Sequence, residues 1–170
     1  GLVDYAAGAP SAEDGVGVVL RTGSTSLPTI PWLEAPSSIT DLSLGISLDV
    51  VGDRTGDDIS DVIVGASDRA FVFSGSNATI LQILESPDGP GDGFGFAVAG
   101  AGNVDESGAA DFIVGAPDAT VRSTSGAGRI FILSGDDGAL IRSISSPMSE
   151  ADGRFGAAVA RRLGEGGDVL

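Results

Sequence analysis

The chain of 170 residues carries 27 Gly and 24 Asp plus Glu against nine Arg, with no Lys, His or Cys, for a formal charge of −15. That charge leaves nothing to neutralise a run of nucleic-acid phosphates and opposes adsorption to an anionic membrane surface. Without Cys or His there is no thiolate nucleophile, no imidazole base and no ordinary zinc or copper site.

The length suits one domain or a piece of one. A hydrophobic fraction of 42% argues against disorder, because disordered chains lack apolar residues to bury. No stretch of 18 consecutive apolar residues exists, so no membrane insertion is expected. The sequence opens without a signal-peptide pattern, as a mature or excised chain would. Taken in order, apolar runs fall at residues 16–20, 62–64, 71–73, 79–84, 112–114, 129–133 and 139–144. None reaches the length that favours a helix, and Gly, Asp, Ser or Pro bounds nearly every one. Their β-branched and aromatic content fits strands on a half-buried pleated surface, so the expected class is all-β.

Internal repetition sets the architecture. Asp-Tyr-Ala-Ala-Gly-Ala-Pro from Asp4 recurs as Asp-Val-Ile-Val-Gly-Ala-Ser from Asp61 and Asp-Phe-Ile-Val-Gly-Ala-Pro from Asp111. A fourth start stands at Asp168, and the spacings are 57, 50 and 57 residues. Leu44-Gly45, Phe94-Gly95 and Phe155-Gly156 keep the same phase, as does a strand closed by Gly at 16–23, 71–75 and 130–135. The repeats are approximately 4–60, 61–110 and 111–167, with a partial start at 168–170. Four short strands per period are the signature of a β-propeller blade, and about three blades are encoded.

Phe94-Gly95 followed about twenty residues later by Gly115-Ala116-Pro117 resembles the FG-GAP repeat of integrin α-subunit propellers and their bacterial relatives. Leu44-Gly45 with Gly65-Ala66-Ser67 is a degenerate copy, Phe155-Gly156 begins another, and Gly8-Ala9-Pro10 ends one. On this resemblance the Phe and Pro plug gaps between blades, while the Gly residues permit close backbone approach or positive φ.

Two acidic loops sit in phase with the repeat. The first offers Asp53, Thr55, Asp57 and Asp61 at positions 1, 3, 5 and 9, with Ile59 at position 7 able to give only its carbonyl. The second offers Asn103, Asp105, Ser107 and Asp111, with Ala109 at position 7. Hard oxygen donors at alternating positions around a tight turn suit Ca²⁺, and a flexible all-protein cage suits it better than Mg²⁺. Position 12 is Val64 or Val114, so the bidentate Glu of an EF-hand is missing. The resemblance implies a calcium loop between strands. Three carboxylates drawn within about 4 Å would repel by roughly 4 kcal/mol per pair at an effective dielectric of 20, and the nearest fixed counter-charge is Arg54. Asp58 stands where the family pattern places Gly, a position Asp tolerates better than most residues. An Asp/Gly-rich hairpin without metal is the alternative for each loop. Gly1 to Asp4, and the segment from Arg161 to Asp168, are poorer counterparts for which no metal is expected.

Other candidates are weaker. Ser74 to Ser76 and Ser134 to Asp136 read as turns, and no His exists to activate a serine. The carboxylate pairs Asp136/Asp137 and Glu150/Asp152 fall where solvated acids are expected, so no catalytic residue is assigned. Trp32 lies in an irregular segment as a packing or contact residue. Asn77-Ala78-Thr79 is a glycosylation pattern in a turn.

Both ends cut through a repeat, which leaves part of a longer propeller, a ring closed by several copies, or a fibre as expectations. The leading functional expectation is a calcium-stabilised, extracellular β-propeller module for adhesion, binding a protein or glycan partner. Self-association as a structural subunit of a surface filament or sheath is the alternative. A non-catalytic propeller part of a secreted hydrolase ranks below both.

Overall fold

The computed structural model describes residues 5–9, 16–21, 33–34, 36 and 43–161. Eleven strands are present and no helix occurs among the described residues. β1 (Tyr5–Gly8), β2 (Val16–Arg21) and β3 (Leu33–Glu34) form a three-stranded antiparallel sheet. β4 (Ser47–Gly52), β5 (Asp61–Ala66), β6 (Arg69–Phe73) and β7 (Ile80–Glu85) form a four-stranded meander. β8 (Ala97–Gly102), β9 (Asp111–Ala116), β10 (Arg129–Leu133) and β11 (Leu140–Ser145) repeat it. The sheets do not close on one another among the described residues. Trp32, Gly1 to Asp4 and residues 162–170, which hold the expected fourth start, lie outside them.

The middle strands explain why these segments fold as strands. In β5, Val62, Val64 and Ala66 join Leu33, Leu44, Phe71 and Phe73 in a core on the first-sheet side. The alternate Ile63 joins Phe94, Phe112, Phe131 and Leu133 in a second core on the third-sheet side. All six residues of β5 are therefore buried. A strand covered on both faces reads as a continuous apolar run, and that is how Asp-Val-Ile-Val-Gly-Ala appears in the sequence. Phe94 is fully buried with its ring centroid 5.8 Å from that of Phe131. Burial of each such side chain contributes about 1.5–3 kcal/mol.

A backbone contact repeats between successive sheets. Gly95 N donates to Gly115 O at 3.1 Å within the third sheet, while the Gly95 carbonyl oxygen lies directly against Gly65 of the second. Gly45 makes the same pair of contacts, bonding Gly65 O at 2.9 Å and facing Gly8 with its carbonyl. The Gly156 carbonyl in turn faces Gly115. A Cβ on Gly8, Gly65 or Gly115 would overlap that oxygen, so no other residue fits there. These are the Phe-Gly and Gly-Ala elements of the sequence repeat, and their shared phase is a packing contact.

The first strands β4 and β8 approach closely because β8 is built of Ala, Val and Gly. Gly100 N donates to Asp49 Oδ2 at 3.0 Å across them, and Ser47 Oγ donates to Gly95 O at 2.9 Å. The second and third sheets start at their Leu-Gly and Phe-Gly turns, one strand ahead of the phase given by the Asp61 and Asp111 starts.

Candidate functional site

The two acidic loops join β4 to β5 and β8 to β9, so both stand at the same rim of their sheets. Each begins at a register shift, between Val50 and Gly52 in one sheet and between Gly100 and Gly102 in the other. The loops share a backbone pattern. Positions 4 and 6 lie in the left-handed region in both: Gly56 (φ 78) and Asp58 (φ 64), then Glu106 (φ 61) and Gly108 (φ 107). Asp58 thus adopts the conformation that Gly108 takes at the same position of the second loop. Position 4 gave no sequence signal, because its glycine occurs in only one of the two loops.

Asp53 is exposed, and its carboxylate gathers amides. Oδ1 accepts from Thr55 N (3.0 Å), Gly56 N (2.7 Å) and Asp57 N (3.3 Å), and Oδ2 from Asp58 N (2.8 Å). Desolvation pushes its pKa up, and these four amides outweigh it, so the carboxyl is held below its ordinary value. Asp57 accepts from Ile59 N at 3.0 Å. The Ser76 hydroxyl first, then the Ile59 amide, holds Asp57 low, while the neighbouring Asp53 charge works the other way. In the second loop Asp105 accepts from Ser107 N at 2.9 Å, and the Ser107 hydroxyl, its amide and the Ser134 hydroxyl lower the Asp105 pKa.

Asp61 and Asp111 behave differently. Both are fully buried. Asp61 Oδ2 accepts from Arg54 N (2.8 Å) and Oδ1 from Gly75 N (3.0 Å), which fastens the loop to the β6–β7 turn. Asp111 Oδ2 accepts from Val104 N (2.5 Å) and Asp105 N (3.2 Å), and Oδ1 from Gly135 N (2.8 Å), in the β10–β11 turn. Gly75 and Gly135 are glycine because a Cβ would strike the carbonyls of Ser60 and Ala110. The ninth position is the anchor of each loop, and it brings to an ion only the lone pairs its amides leave.

The donor chemistry of positions 1, 3 and 5 fits a hard cation: carboxylates held ionised by amides and hydroxyls, beside Thr or Ser oxygens. Asp53, Thr55 and Asp57 face solvent in the first loop, as do Asn103, Asp105 and Ser107 in the second. Ile59 and Ala109, the carbonyl positions, are half-buried. Among the described residues no three acidic side chains close into one group.

The opposite rim carries the β5–β6 and β9–β10 connections and those leading into each first strand. The β5–β6 turn is Ser67 and Asp68, whereas residues 117–128 link β9 to β10 with a small structure of their own. Val121 and Thr124 form a bridge there, and Ala119, Val121 and Ala127 are buried. Asp68 accepts from Gly91 N (2.9 Å) and Gly93 N (3.1 Å). Buried Asp92 accepts from Ser86 Oγ (2.5 Å) and Phe94 N (2.9 Å). Desolvation raises the Asp92 pKa against these two bonds, and the charges of Asp68 and Asp88 raise it further. A cavity of about 300 Å³ opens beside them, lined by Ser67, Asp68, Phe96 and Asp118 among others. Arg154 stacks over Phe96 at 5.2 Å and pairs with Asp118 at 2.5 Å.

No family model matches the chain, and no curated protein matches it either.

Proposed function

We propose that this chain is a segment of a calcium-stabilised β-propeller of the FG-GAP type, acting outside the cell as an adhesion or interaction module. The observation that carries the reading is the coincidence of two repeats. The interlock of Gly95 on Gly65 recurs as Gly45 on Gly8 and Gly156 on Gly115, so each sheet stacks on the next through the residues of the Phe-Gly and Gly-Ala motifs. In the same phase, two loops of one backbone pattern present oxygen donors at one rim. The described sheets would be successive blades, with Ca²⁺ held by Asp53, Thr55 and Asp57 in one and by Asn103, Asp105 and Ser107 in the next. Sites of this kind suit a compartment where calcium is near millimolar. Fixing one rim leaves the other, with its connections of unequal length, to meet a protein or glycan.

Thermal unfolding of the chain in calcium and in chelator tests the reading. An ion at a hundredfold excess over its Kd adds about 2.7 kcal/mol per site that the unfolded chain lacks. A higher Tm in calcium than in chelator or magnesium is expected, and equal Tm values in all three overturn the reading.

Self-association has one observation in its favour. On the face of the third sheet turned away from the second, Ile113, Ile130 and Ile132 are half-buried and Ile144 is exposed. A native mass at a multiple of the chain mass would favour that alternative.

A further inference from the structure

Arg54 occupies position 2 of the first loop, and its side chain leaves its own sheet. The guanidinium lies 5.0 Å from the centroid of the Phe112 ring on β9. Its Nη1 donates to Gln82 Oε1 at 3.2 Å, and its Nη2 donates to the carbonyl oxygen of Gly135. Gly135 is the residue whose amide is taken by Asp111 Oδ1. At the near end, Arg54 N donates to Asp61 Oδ2. A continuous path therefore runs from Asp61 through Arg54 and Gly135 to Asp111. Its ends are the ninth positions of the two loops, the residues that anchor each loop to its sheet.

The chemistry of this path is specific to arginine. A planar guanidinium can stack on a ring while its two terminal nitrogens reach acceptors on different sheets, which an ammonium cannot do. Nε is buried without a hydrogen-bond partner, so the group is oriented by the stack and by the fork. Burial lowers the Arg54 pKa while Asp61, Asp111 and Asp136 pull it up, and the group stays charged. The second loop has Val104 at the same position, 39% exposed. The bridge therefore joins this pair of loops only, among the described residues.

We propose that Arg54 is a positioning residue that couples the two acidic loops, so that an ion held by the first raises the affinity of the second. The proposal rests on the calcium reading above. An exposed loop ordered around an ion fixes the Arg54 backbone, and with it the guanidinium on Gly135. The turn that Asp111 grips is then already ordered when the second ion arrives, and that ordering cost falls on the first event alone. The charge of Arg54 is present with and without ions, so it lowers both affinities without linking them.

Calcium titrations of the full chain, followed at the Gly108 amide resonance, report the second loop alone. The first loop is weakened by Asp53→Asn, in the parent and in Arg54→Met. In the parent, Asp53→Asn should lower the second loop's affinity about fivefold or more, the lower range of ordinary site-to-site coupling. In Arg54→Met the same change should move it less than twofold. Calcium binding with an equal effect of Asp53→Asn in both backgrounds overturns this proposal and leaves the calcium reading standing. No calcium binding by the parent chain overturns both. A measurement in chelator needs no Arg54 variant: hydrogen exchange at the Gly135 amide should quicken in Asp53→Asn relative to the parent. Should Arg54→Met fail to fold, that measurement decides, and unchanged exchange overturns the coupling.

Discussion

The carbonyl oxygen of Gly95 rests against the α-carbon of Gly65, one sheet away and thirty residues earlier, with no room between them for a methyl group. Gly65→Ala must therefore separate the second and third sheets or twist a strand buried on both faces. We expect a loss of about 1–3 kcal/mol, the usual cost of overpacking. Gly89 is the control: its φ of 94 is left-handed, yet nothing lies within 4 Å of an added Cβ. Gly89→Ala should cost only the backbone strain, about 1 kcal/mol. Urea denaturation of the two variants checks the difference, and equal losses would contradict the interlock.

Asp111→Ala should destabilise more than Asp105→Ala, although both remove one carboxylate from the same loop. Asp111 is buried and holds three amides, those of Val104, Asp105 and Gly135. Leaving buried donors unpaired costs about 1–3 kcal/mol each, less where water can enter. Asp105 is exposed, and its loss leaves its amide partner to solvent. Thermal unfolding in chelator separates this structural effect from any ion.

Asp92 makes stability depend on pH with an unusual sign for an acid. Its pKa is raised in the folded protein by desolvation, with Asp68 and Asp88 adding to the shift. The folded state therefore holds the Asp92 proton more tightly than the unfolded chain does. The resulting stabilisation is complete below the unfolded value of about 3.9 and is lost as pH rises through the folded pKa. Relative to Asp92→Asn, the parent should be most stable near pH 4 and lose ground toward pH 7. Paired denaturation curves across that range check it, and a pH-independent difference would contradict it. The exposed Asp53, Asp57 and Asp105 work oppositely, since their lowered pKa values favour the fold above about pH 3.9 and cease to as pH falls through the folded values.

Phe94→Ala should cost about 3–5 kcal/mol, because the ring is fully buried against Phe131 in the core shared by the second and third sheets. Phe96→Ala, two residues on, should cost much less, since that ring is 43% exposed and meets the Arg154 guanidinium on the rim. Comparison of the two by urea denaturation tests which aromatic carries the packing.

Much of the sheet structure was legible in the sequence, because a strand buried on both faces must be apolar throughout and must end at a turn. The runs at 62–64, 71–73, 112–114 and 129–133 fall inside β5, β6, β9 and β10. The repeat gave the order of strands but set its boundaries one strand late, and the left-handed backbone at Asp58 followed from residue chemistry. What the sequence hid were partners brought close only by folding. Asp61 reads as one more oxygen donor until Gly75 N, fourteen residues on, is found against it. Arg54 reads as a counter-charge for its own loop, yet its side chain spans to Gly135, eighty-one residues away on another sheet. No local pattern encodes either contact.

The fastening of Gly95 on Gly65 is a main-chain contact flanked by the Ser47 hydroxyl, and Gly45 on Gly8 and Gly156 on Gly115 are main-chain contacts as well. A contact made that way places few demands on the side chains around it. A unit that keeps its two glycines keeps this part of the joint whatever its rim carries, while the core of Ile63, Phe94, Phe112 and Phe131 must still match across the two sheets. Residues 117–128 can grow where Ser67 and Asp68 suffice, and the joint between those same sheets is unaltered. The rim can differ in length from one sheet to the next because the glycine contact does not extend to it.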